Sequence, residues 1–123
     1  MKIYLAHASG YDYESELYEP LRKTIAKEHD VFFPHDEQNA GKVSKEIIAS
    51  SDFVIAEVSR PSTGQGIELG WADDYEIPVL CVYRSGSTPS STLRVISDMI
   101  VEYKSAEELP EVVANQLKSR GQG

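Results

Sequence analysis

Short apolar runs alternate with helical stripes of apolar residues along the chain, a pattern typical of an α/β domain. Five mostly apolar segments predict β-strands: Lys2–Ala8, Val31–Phe33, Phe53–Val58, Pro78–Tyr83 and Ile100–Tyr103. The segments between and after them predict helices: Tyr13–Glu28, Val43–Ser50, Gly66–Tyr75, Leu93–Met99 and one that begins at Ser105. Strands separated by helices form a parallel sheet with right-handed crossovers. We therefore expect a flavodoxin-like, doubly wound α/β sheet of five parallel strands in the order 2-1-3-4-5.

Prolines and polar segments mark where the predicted elements stop. Pro20 interrupts the first helical stripe, and Pro34 ends the second strand. The segments His35–Gly41 and Ser85–Ser91 predict loops, and the second is long enough to be a mobile lid. The polar tail, residues 118–123, is expected to fray. With 123 residues and no internal repeat, the chain is expected to form a single domain.

The composition is that of a globular protein with an acidic surface. Hydrophobic residues make up 41%, charged residues make up 26%, and the formal net charge is -8. Nonspecific binding to nucleic acid or to an anionic membrane needs a basic surface, so we expect neither partner. The same charge means that an anionic ligand would have to be held by local hydrogen-bond donors.

Cysteine and histidine usage narrows the chemistry further. Cys81 is the only cysteine and lies in the fourth predicted strand, where a buried, unreactive thiol is expected and no disulfide within the chain can form. No Cys or His spacing is typical of a metal centre, so we expect no metal site. The apolar stretch in MKIYLAHAS is too short for a signal peptide or a membrane span, and we expect a cytoplasmic protein.

Residues 51–72, SDFVIAEVSRPSTGQGIELGWA, combine a buried strand, a loop of small residues and the start of a helix. In α/β folds this arrangement holds phosphate or sugar ligands. Such ligands bind beyond the carboxyl ends of the strands, where the strand order reverses, here between strands one and three. The loops at that point are His7–Tyr13 and Ser59–Gly66. We therefore expect the functional site between these two loops.

Glu68 is the first candidate for chemistry at this site. We expect it in the first helical turn, where the helix N-terminus favours an ionised carboxylate by roughly 0.3–1 kcal/mol. In a cleft, such a carboxylate can attack or stabilise the C1 atom of a sugar as a base departs. The alternative is an acid that only stabilises its own helix. Gly64 and Gly66 favour the first interpretation, because glycine lets the backbone approach a ligand.

The run AEVSRPSTGQGIELGWA resembles the signature of the nucleoside 2-deoxyribosyltransferase superfamily. It looks particularly like the hydrolase branch, the 2'-deoxynucleoside 5'-monophosphate N-glycosidases, and the resemblance extends from Ile3 and Tyr4 to VISDMI, residues 95–100. It implies that Glu68 is the nucleophile and forms a deoxyribosyl-enzyme intermediate, and that Tyr4 orients it. It also implies a small-molecule nucleotide substrate, a homodimer and no cofactor. Without the resemblance, Tyr4 would be interpreted as a core tyrosine on a strand.

Two serines separate the branches of this superfamily. By this resemblance, the transferases carry an aspartate that contacts the sugar, six positions before the nucleophile. This chain has Ser62 at that position. The transferases also place an asparagine from a neighbouring subunit where this chain has Ser97, and the hydrolases carry serine at both positions. A serine hydroxyl can donate to a phosphate, whereas an aspartate would repel it. Both serines therefore favour a 5'-monophosphate, with Ser9 as a third candidate donor. The alternatives are turn formation for Ser62 and a plain surface hydroxyl for Ser97.

One position departs from the resemblance. In the resembled family, an aspartate helps to protonate the departing base. It lies eight residues before the acid that opens strand three, which is Asp52 in this chain. The corresponding position here is Ser44. A serine hydroxyl hardly ionises near neutral pH and cannot replace it. Asp36 and Glu37 are the nearest acids, with a solvated loop position as their alternative. His7 and His35, at strand ends near the same mouth, could contact a base or act as the acid. The first loop also lacks the arginine often seen in the hydrolases.

The sequence therefore predicts an N-glycosidase that hydrolyses the base–sugar bond of a (deoxy)nucleoside 5'-monophosphate. Its predicted catalytic residues are Glu68, Tyr4 and Asp36, and its predicted substrate-binding residues are Ser9, Ser62, Gly64, Gly66 and Ser97. Three alternatives remain: a deoxyribosyltransferase, an NAD-cleaving enzyme related to TIR domains, and a nucleotide-binding module without turnover. Ser44 is the residue that keeps the last of these open.

Overall fold

The computed structural model describes residues 1–119 and confirms the predicted architecture. Its five strands are β1 (Lys2–His7), β2 (Asp30–Phe32), β3 (Phe53–Glu57), β4 (Val79–Arg84) and β5 (Met99–Tyr103). They form one sheet in the order β2-β1-β3-β4-β5, and every neighbouring pair is parallel. The order reverses between β1 and β3, whose register places His7 beside Glu57. The carboxyl ends of these two strands therefore meet at one edge, where a ligand site is expected.

Two hydrophobic layers cover the sheet. Consecutive strand residues point to opposite faces, so Ile3 and Leu5 belong to one layer and Tyr4 and Ala6 to the other. The α-helices are α1 (Glu19–Arg22), α2 (Ser44–Ala49), α3 (Thr63–Asp74) and α4 (Leu109–Ser119). Helices α1 and α4 pack on the first layer, and α2 and α3 pack on the second. Tyr4 therefore points to the face of the sheet that α3, the helix with Glu68, covers.

The first predicted helix, Tyr13–Glu28, is broken into short pieces. A π-helical turn at Glu14–Tyr18 runs into α1, and a separate 3₁₀ turn follows at Ile25–Lys27. Glu19 donates its backbone N–H to the carbonyl five residues back, whereas an α-helix uses the carbonyl four residues back. Pro20 accounts for the π-helical turn before it, because it has no N–H with which to continue the α-helical ladder, while the break between the helical pieces falls at Thr24, whose backbone is not helical.

The prediction of a helix at Leu93–Met99 is wrong over most of its length. The chain forms only a 3₁₀ turn, Ser91–Val95, and β5 already begins at Met99. Ser97 ends the turn, because its hydroxyl donates to the carbonyl oxygen of Val79 at 2.5 Å and accepts from the backbone N–H of Met99 at 3.0 Å. A serine that bonds the backbone in this way competes with helix formation.

The ends of two other helices differ from the prediction. Helix α3 begins at Thr63, three residues before Gly66, since Ser62 caps it. Helix α4 begins at Leu109, after a turn in which the Ser105 hydroxyl accepts from the backbone N–H of Glu108 at 3.2 Å. Of the tail that was expected to fray, residues 118 and 119 belong to α4, and residues 120–123 lie outside the described residues.

The only cysteine of the chain is buried in the sheet. Cys81 is fully buried in β4 as a free thiol, as predicted, and burial raises its pKa to about 11. The thiol therefore stays protonated near neutral pH.

Between residues 1 and 119, no helix has both the length and the apolar character that crossing a bilayer requires.

Candidate active site

A small cavity opens at the carboxyl end of β1, where the strand order reverses. Its volume is about 180 Å³, and we call it the candidate pocket. It is lined by Tyr4, His7, Ser9, Pro34, His35, Ser62, Gly64, Gln65 and Glu68. Most residues predicted for the site are brought together on this wall, namely Tyr4, Ser9, Ser62, Gly64 and Glu68. The three others, Asp36, Gly66 and Ser97, do not line it.

A hydrogen bond between Tyr4 and Glu68 forms the centre of the candidate pocket. Tyr4 Oη donates to Glu68 Oε2 at 2.6 Å and so links β1 to α3. The Tyr4 side chain is buried and stacks on Phe32, with 5.6 Å between the ring centroids, so its hydroxyl has little freedom to move. Glu68 is half-buried and forms no salt bridge within residues 1–119. Its carboxylate borders the cavity and is not held by a cation.

Burial has the largest effect on the ionisation of Glu68. Loss of solvent raises the pKa of this carboxyl group, while the hydrogen bond from Tyr4, the neighbouring Ser44 hydroxyl and the charge of His35 lower it in part. The expectation that Glu68 lies in the first helical turn is wrong. Because α3 begins at Thr63, Glu68 falls in the second turn, and the dipole effect is confined to the first. Neighbouring hydroxyl groups stabilise the charged form instead.

Ser44 lies beside the Tyr4–Glu68 pair. It is the first residue of α2, and its hydroxyl interacts with both partners, lowering the pKa of each. Burial and the bond to Glu68 nevertheless raise the pKa of Tyr4 far above its ordinary value, so its phenol remains a donor. The position at which the resemblance implies an aspartate therefore does adjoin the Glu68 carboxylate, but it carries a neutral hydroxyl.

The start of α3 supplies hydroxyl and N–H groups to the candidate pocket. Ser62 is the N-cap, and its Oγ accepts from the backbone N–H of Gln65 at 3.3 Å. This bond uses a lone pair, so the hydroxyl proton remains available for a ligand. A Cβ added at Gly64 or Gly66 would meet nothing within 4 Å, so packing does not require glycine at either position. Gly66 lines an adjoining cavity rather than the candidate pocket.

Gln65 was not predicted for the site, and it fastens α3 to the sheet. Its side chain is buried, and its Nε2 donates to the carbonyl oxygens of Ala6 at 3.2 Å and Glu57 at 2.7 Å. These carbonyls lie near the carboxyl ends of β1 and β3. In the sequence, Gln65 is an amide residue between two glycines at the start of a helix, a pattern that does not predict a buried side chain.

The two histidines of the candidate pocket differ in burial and in the hydrogen bonds of their ring nitrogens. His7 is buried, its Nδ1 donates to the carbonyl oxygen of Ala8 at 2.7 Å, and its Nε2 accepts from the hydroxyl of Tyr18 at 2.7 Å. Burial lowers its pKa to about 4, so His7 is neutral with both nitrogens engaged. His35 is exposed, and its Nδ1 lies 3.2 Å from the hydroxyl of Tyr13. Within residues 1–119, no three His, Cys, Asp or Glu side chains are grouped as metal ligands.

The structure places Asp36 away from the candidate pocket. Its carboxylate accepts two hydrogen bonds from the Arg22 guanidinium, at 2.6 and 3.1 Å. Glu37 is exposed in a 3₁₀ turn, Glu37–Asn39, and does not line the pocket either. The sequence could not show the ion pair, because the two side chains meet only after α1 packs beside the loop that follows β2.

Ser97 lies at the opposite end of the sheet, next to the start of β5. Its hydroxyl is bonded to backbone groups, and within one chain it does not contribute to the candidate pocket. Its expected contribution to the site of a second subunit remains a prediction.

Comparison with known proteins identifies the family, although no family model matches the chain. The 5-hydroxymethyl-dUMP N-hydrolase of Branchiostoma floridae is 35% identical over 77 residues, covering 58% of this chain and 73% of that protein. The chain belongs to the N-hydrolase family of this relative, the hydrolase branch that the sequence resemblance indicated. A Nematostella vectensis protein with the provisional name 2'-deoxynucleoside 5'-phosphate N-hydrolase 1 is 39% identical over 76 residues, covering 57% of this chain and 51% of that protein. The chain spans about half the length of several curated relatives that it matches.

Solved structures share the fold of this chain. The CMP N-glycosidase of Clostridium botulinum has a TM-score of 0.69, with 18% identity, covering 93% of this chain and 99% of that one. A 2-deoxyribosyltransferase of Bacillus psychrosaccharolyticus has a TM-score of 0.61, with 21% identity, covering 89% and 90%. At these identities the likeness establishes the common fold.

Proposed function

We propose that the chain is an N-glycosidase that hydrolyses the base–sugar bond of a 2'-deoxynucleoside 5'-monophosphate, with Glu68 as the nucleophile. The observation that carries this proposal is the 2.6 Å hydrogen bond from Tyr4 to a carboxylate that borders a pocket and has no salt bridge within residues 1–119. The name of a relative, 5-hydroxymethyl-dUMP N-hydrolase, supports the same reaction class.

Glu68 acts on the C1' atom of the sugar. A carboxylate oxygen bonds to C1' as the C1'–N bond breaks, and the electron pair of that bond leaves with the base, which takes up a proton. Water then attacks C1' of the glycosyl ester, which releases the sugar phosphate and restores the carboxylate. A 2-deoxy sugar suits this route, because it lacks the electron-withdrawing hydroxyl that would oppose positive charge at C1'. Tyr4 holds the attacking carboxylate in position.

Ser9, Ser62 and the first N–H groups of α3 bind the 5'-phosphate in this proposal. Ser9 and Ser62 line the candidate pocket from opposite loops, and the Ser62 hydroxyl has a proton to donate. The first backbone N–H groups of a helix, with the positive end of its dipole, favour an anion. Gly64 leaves this approach open, because no side chain covers it.

His35 is the proposed proton donor to the departing base. Glu68 is the only carboxyl group on the pocket wall within residues 1–119, and the ring nitrogens of His7 are engaged. His35 also lines the pocket and lies close enough to Glu68 to lower the pKa of that carboxyl group. An imidazolium can donate a proton near neutral pH. Asp36 loses this role in the proposal, because Arg22 holds it outside the pocket.

A homodimer would complete the nucleotide site. The candidate pocket, at about 180 Å³, is smaller than the roughly 300–1,000 Å³ usual for small-molecule sites, so it accommodates the sugar while base and phosphate extend from its mouth. Ser97 of a second subunit would then contact the phosphate, as the resemblance implies, by exchanging its hydrogen bond to the Val79 carbonyl for one to the phosphate. We place the enzyme in the cytoplasm.

The test is incubation with the four 2'-deoxynucleoside 5'-monophosphates, followed by chromatography for free base. We expect base release by the native chain and at least a hundredfold less by Glu68→Gln, because the amide is not a nucleophile for C1'. Glu46→Gln, which removes an exposed carboxylate from α2, is the matched control and should keep full activity.

The other outcomes identify the alternatives. Base exchange that exceeds hydrolysis when a second free base is added would indicate a deoxyribosyltransferase. Tight nucleotide binding by calorimetry, with base release no greater than that of Glu68→Gln, would indicate a binding module and contradict the proposed enzyme.

A further inference from the structure

The candidate pocket has no arginine or lysine on its wall, although the proposed substrate carries a phosphate. The chain has a formal net charge of -8, which disfavours a phosphate dianion near its surface. Hydroxyl and N–H groups would satisfy the hydrogen bonds of the phosphate without balancing its charge. A cation from a neighbouring surface would remove this imbalance.

Arg60 is the arginine next to this wall. It lies in the loop between β3 and α3, two positions before Ser62, and it lines a second cavity of about 560 Å³. This second cavity shares Ser62 and Gln65 with the candidate pocket, so the two spaces adjoin. A phosphate bound by the Ser62 hydroxyl would therefore lie at their common border.

The guanidinium of Arg60 is held in place without being neutralised. Its Cζ lies 4.1 Å from the ring centroid of Tyr11, a cation–π contact. Within residues 1–119 it has no carboxylate partner, whereas Arg22 and Arg84 each form an ion pair. Because stacking occupies only the face of a guanidinium, its N–H donors at the edge remain available for an anion. Tyr11 belongs to the loop after β1, which also carries Ser9.

We propose that Arg60 binds the 5'-phosphate and sets the preference for nucleotides over nucleosides. This inference rests on the proposed function for the identity of the substrate. Arg60 joins Ser9 and Ser62 as a third phosphate-binding side chain of the same subunit, and Tyr11 is a positioning residue that links the two loops. Since Arg60 contacts only the phosphate, its loss affects substrates that carry one and leaves the others unchanged.

Arg60→Gln tests this assignment through kcat/KM for a 2'-deoxynucleoside 5'-monophosphate and for the corresponding nucleoside. We expect the nucleotide value to fall roughly 10- to 100-fold, because a charge-assisted contact is lost, and the nucleoside value to stay within about twofold. Arg94→Gln is the matched control. Arg94 is exposed, has no carboxylate partner within residues 1–119, and lines a cavity that shares no residue with the candidate pocket. Its substitution should change neither value.

Calorimetric titration with the same nucleotide and nucleoside separates this inference from the proposed function, because it needs no turnover. If the native chain binds the monophosphate more tightly and Arg60→Gln removes the difference, the phosphate contact is supported even where no base is released. If Arg60→Gln keeps the preference, weakens both ligands equally, or matches Arg94→Gln, Arg60 is not the phosphate ligand.

Discussion

Opposing effects set the charge of the Glu68 carboxyl group. Burial raises its pKa, and the hydroxyl groups of Tyr4 and Ser44 lower it. A carboxylate nucleophile has to be ionised, so Tyr4 both positions the group and helps to keep it charged. The pKa of Tyr4 is itself strongly raised by burial, so the phenol keeps its proton and the bond runs from Tyr4 to Glu68.

Tyr4→Phe removes this bond while the ring can still stack on Phe32. We expect kcat for base release to fall roughly 10- to 100-fold, since a hydrogen bond to a charged group contributes about 1.5–3 kcal/mol. The KM for nucleotide should change little, because Tyr4 does not contact the phosphate in our proposal. Steady-state kinetics measures both values, with Tyr75→Phe, at the C-terminal end of α3, as the control. An undiminished kcat would show that Tyr4 does not position the nucleophile.

Ser62 caps helix α3 and also lines the candidate pocket. Its Oγ satisfies the backbone N–H of Gln65, one of the N–H groups that a helix start leaves without an intrahelical partner. An aspartate would cap the helix equally well but would repel a phosphate. Substitutions at this one position can therefore separate helix stability from ligand preference.

We expect Ser62→Ala to lower the free energy of unfolding by about 0.5–2 kcal/mol and Ser62→Asp to leave it nearly unchanged. We also expect Ser62→Asp to abolish the preference for a monophosphate over a nucleoside. Denaturant titration gives the first quantity, and paired kcat/KM values give the second. Ser105→Ala, which removes a comparable bond to Glu108, is the control and should not alter the preference. A monophosphate preference that survives in Ser62→Asp would contradict the role of this hydroxyl.

The strands could be predicted from the sequence, while several helix ends could not. Every residue of β3 is buried, and a continuous apolar run reveals that directly. The start of α3 at Thr63 depends on a cap at Ser62, which the glycines nearby obscured. The turn at Ser91–Val95 stops because Ser97 bonds to the backbone of Val79, the first residue of β4. Local patterns reveal burial, whereas these boundaries depend on contacts between distant parts of the chain.

At the scale of the whole molecule, the strand order determines how much of the site was predictable. An order of 2-1-3-4-5 brings the ends of β1 and β3 together, and so Tyr4 and Glu68 could be assigned to one place. Asp36 could not be assessed, because its partner Arg22 comes from α1. Gln65 was missed for the same reason, since its partners lie on two strands.

The buried His7 should make the stability of the molecule depend on pH. Its pKa is about 4 in the folded protein and about 6.5 when exposed in the unfolded chain, so the unfolded state binds more protons between these values. Stability should therefore be fully present above pH 6.5 and fall as pH drops toward 4, with a loss on the order of 3 kcal/mol from this group. Thermal unfolding across this range, for the native chain and for His7→Gln, measures the effect.

His7→Gln should show a shallower pH dependence, because glutamine does not titrate and its amide still offers one donor group and one acceptor. His29→Gln, at the opposite edge of the sheet, should retain the native slope. Equal slopes in the native chain and His7→Gln would mean that His7 is not the group that titrates.

The amide of Gln65 restricts how the start of α3 can move when ligands enter or leave the pocket. Its two hydrogen bonds join the first turn of α3 to both central strands. Tilting this end of the helix outward would leave a buried polar group unpaired, at a cost of about 1–3 kcal/mol. In the proposed enzyme, this end of α3 would therefore stay fixed while a nucleotide enters and its products leave, and any widening of the pocket mouth would have to come from other parts of its wall.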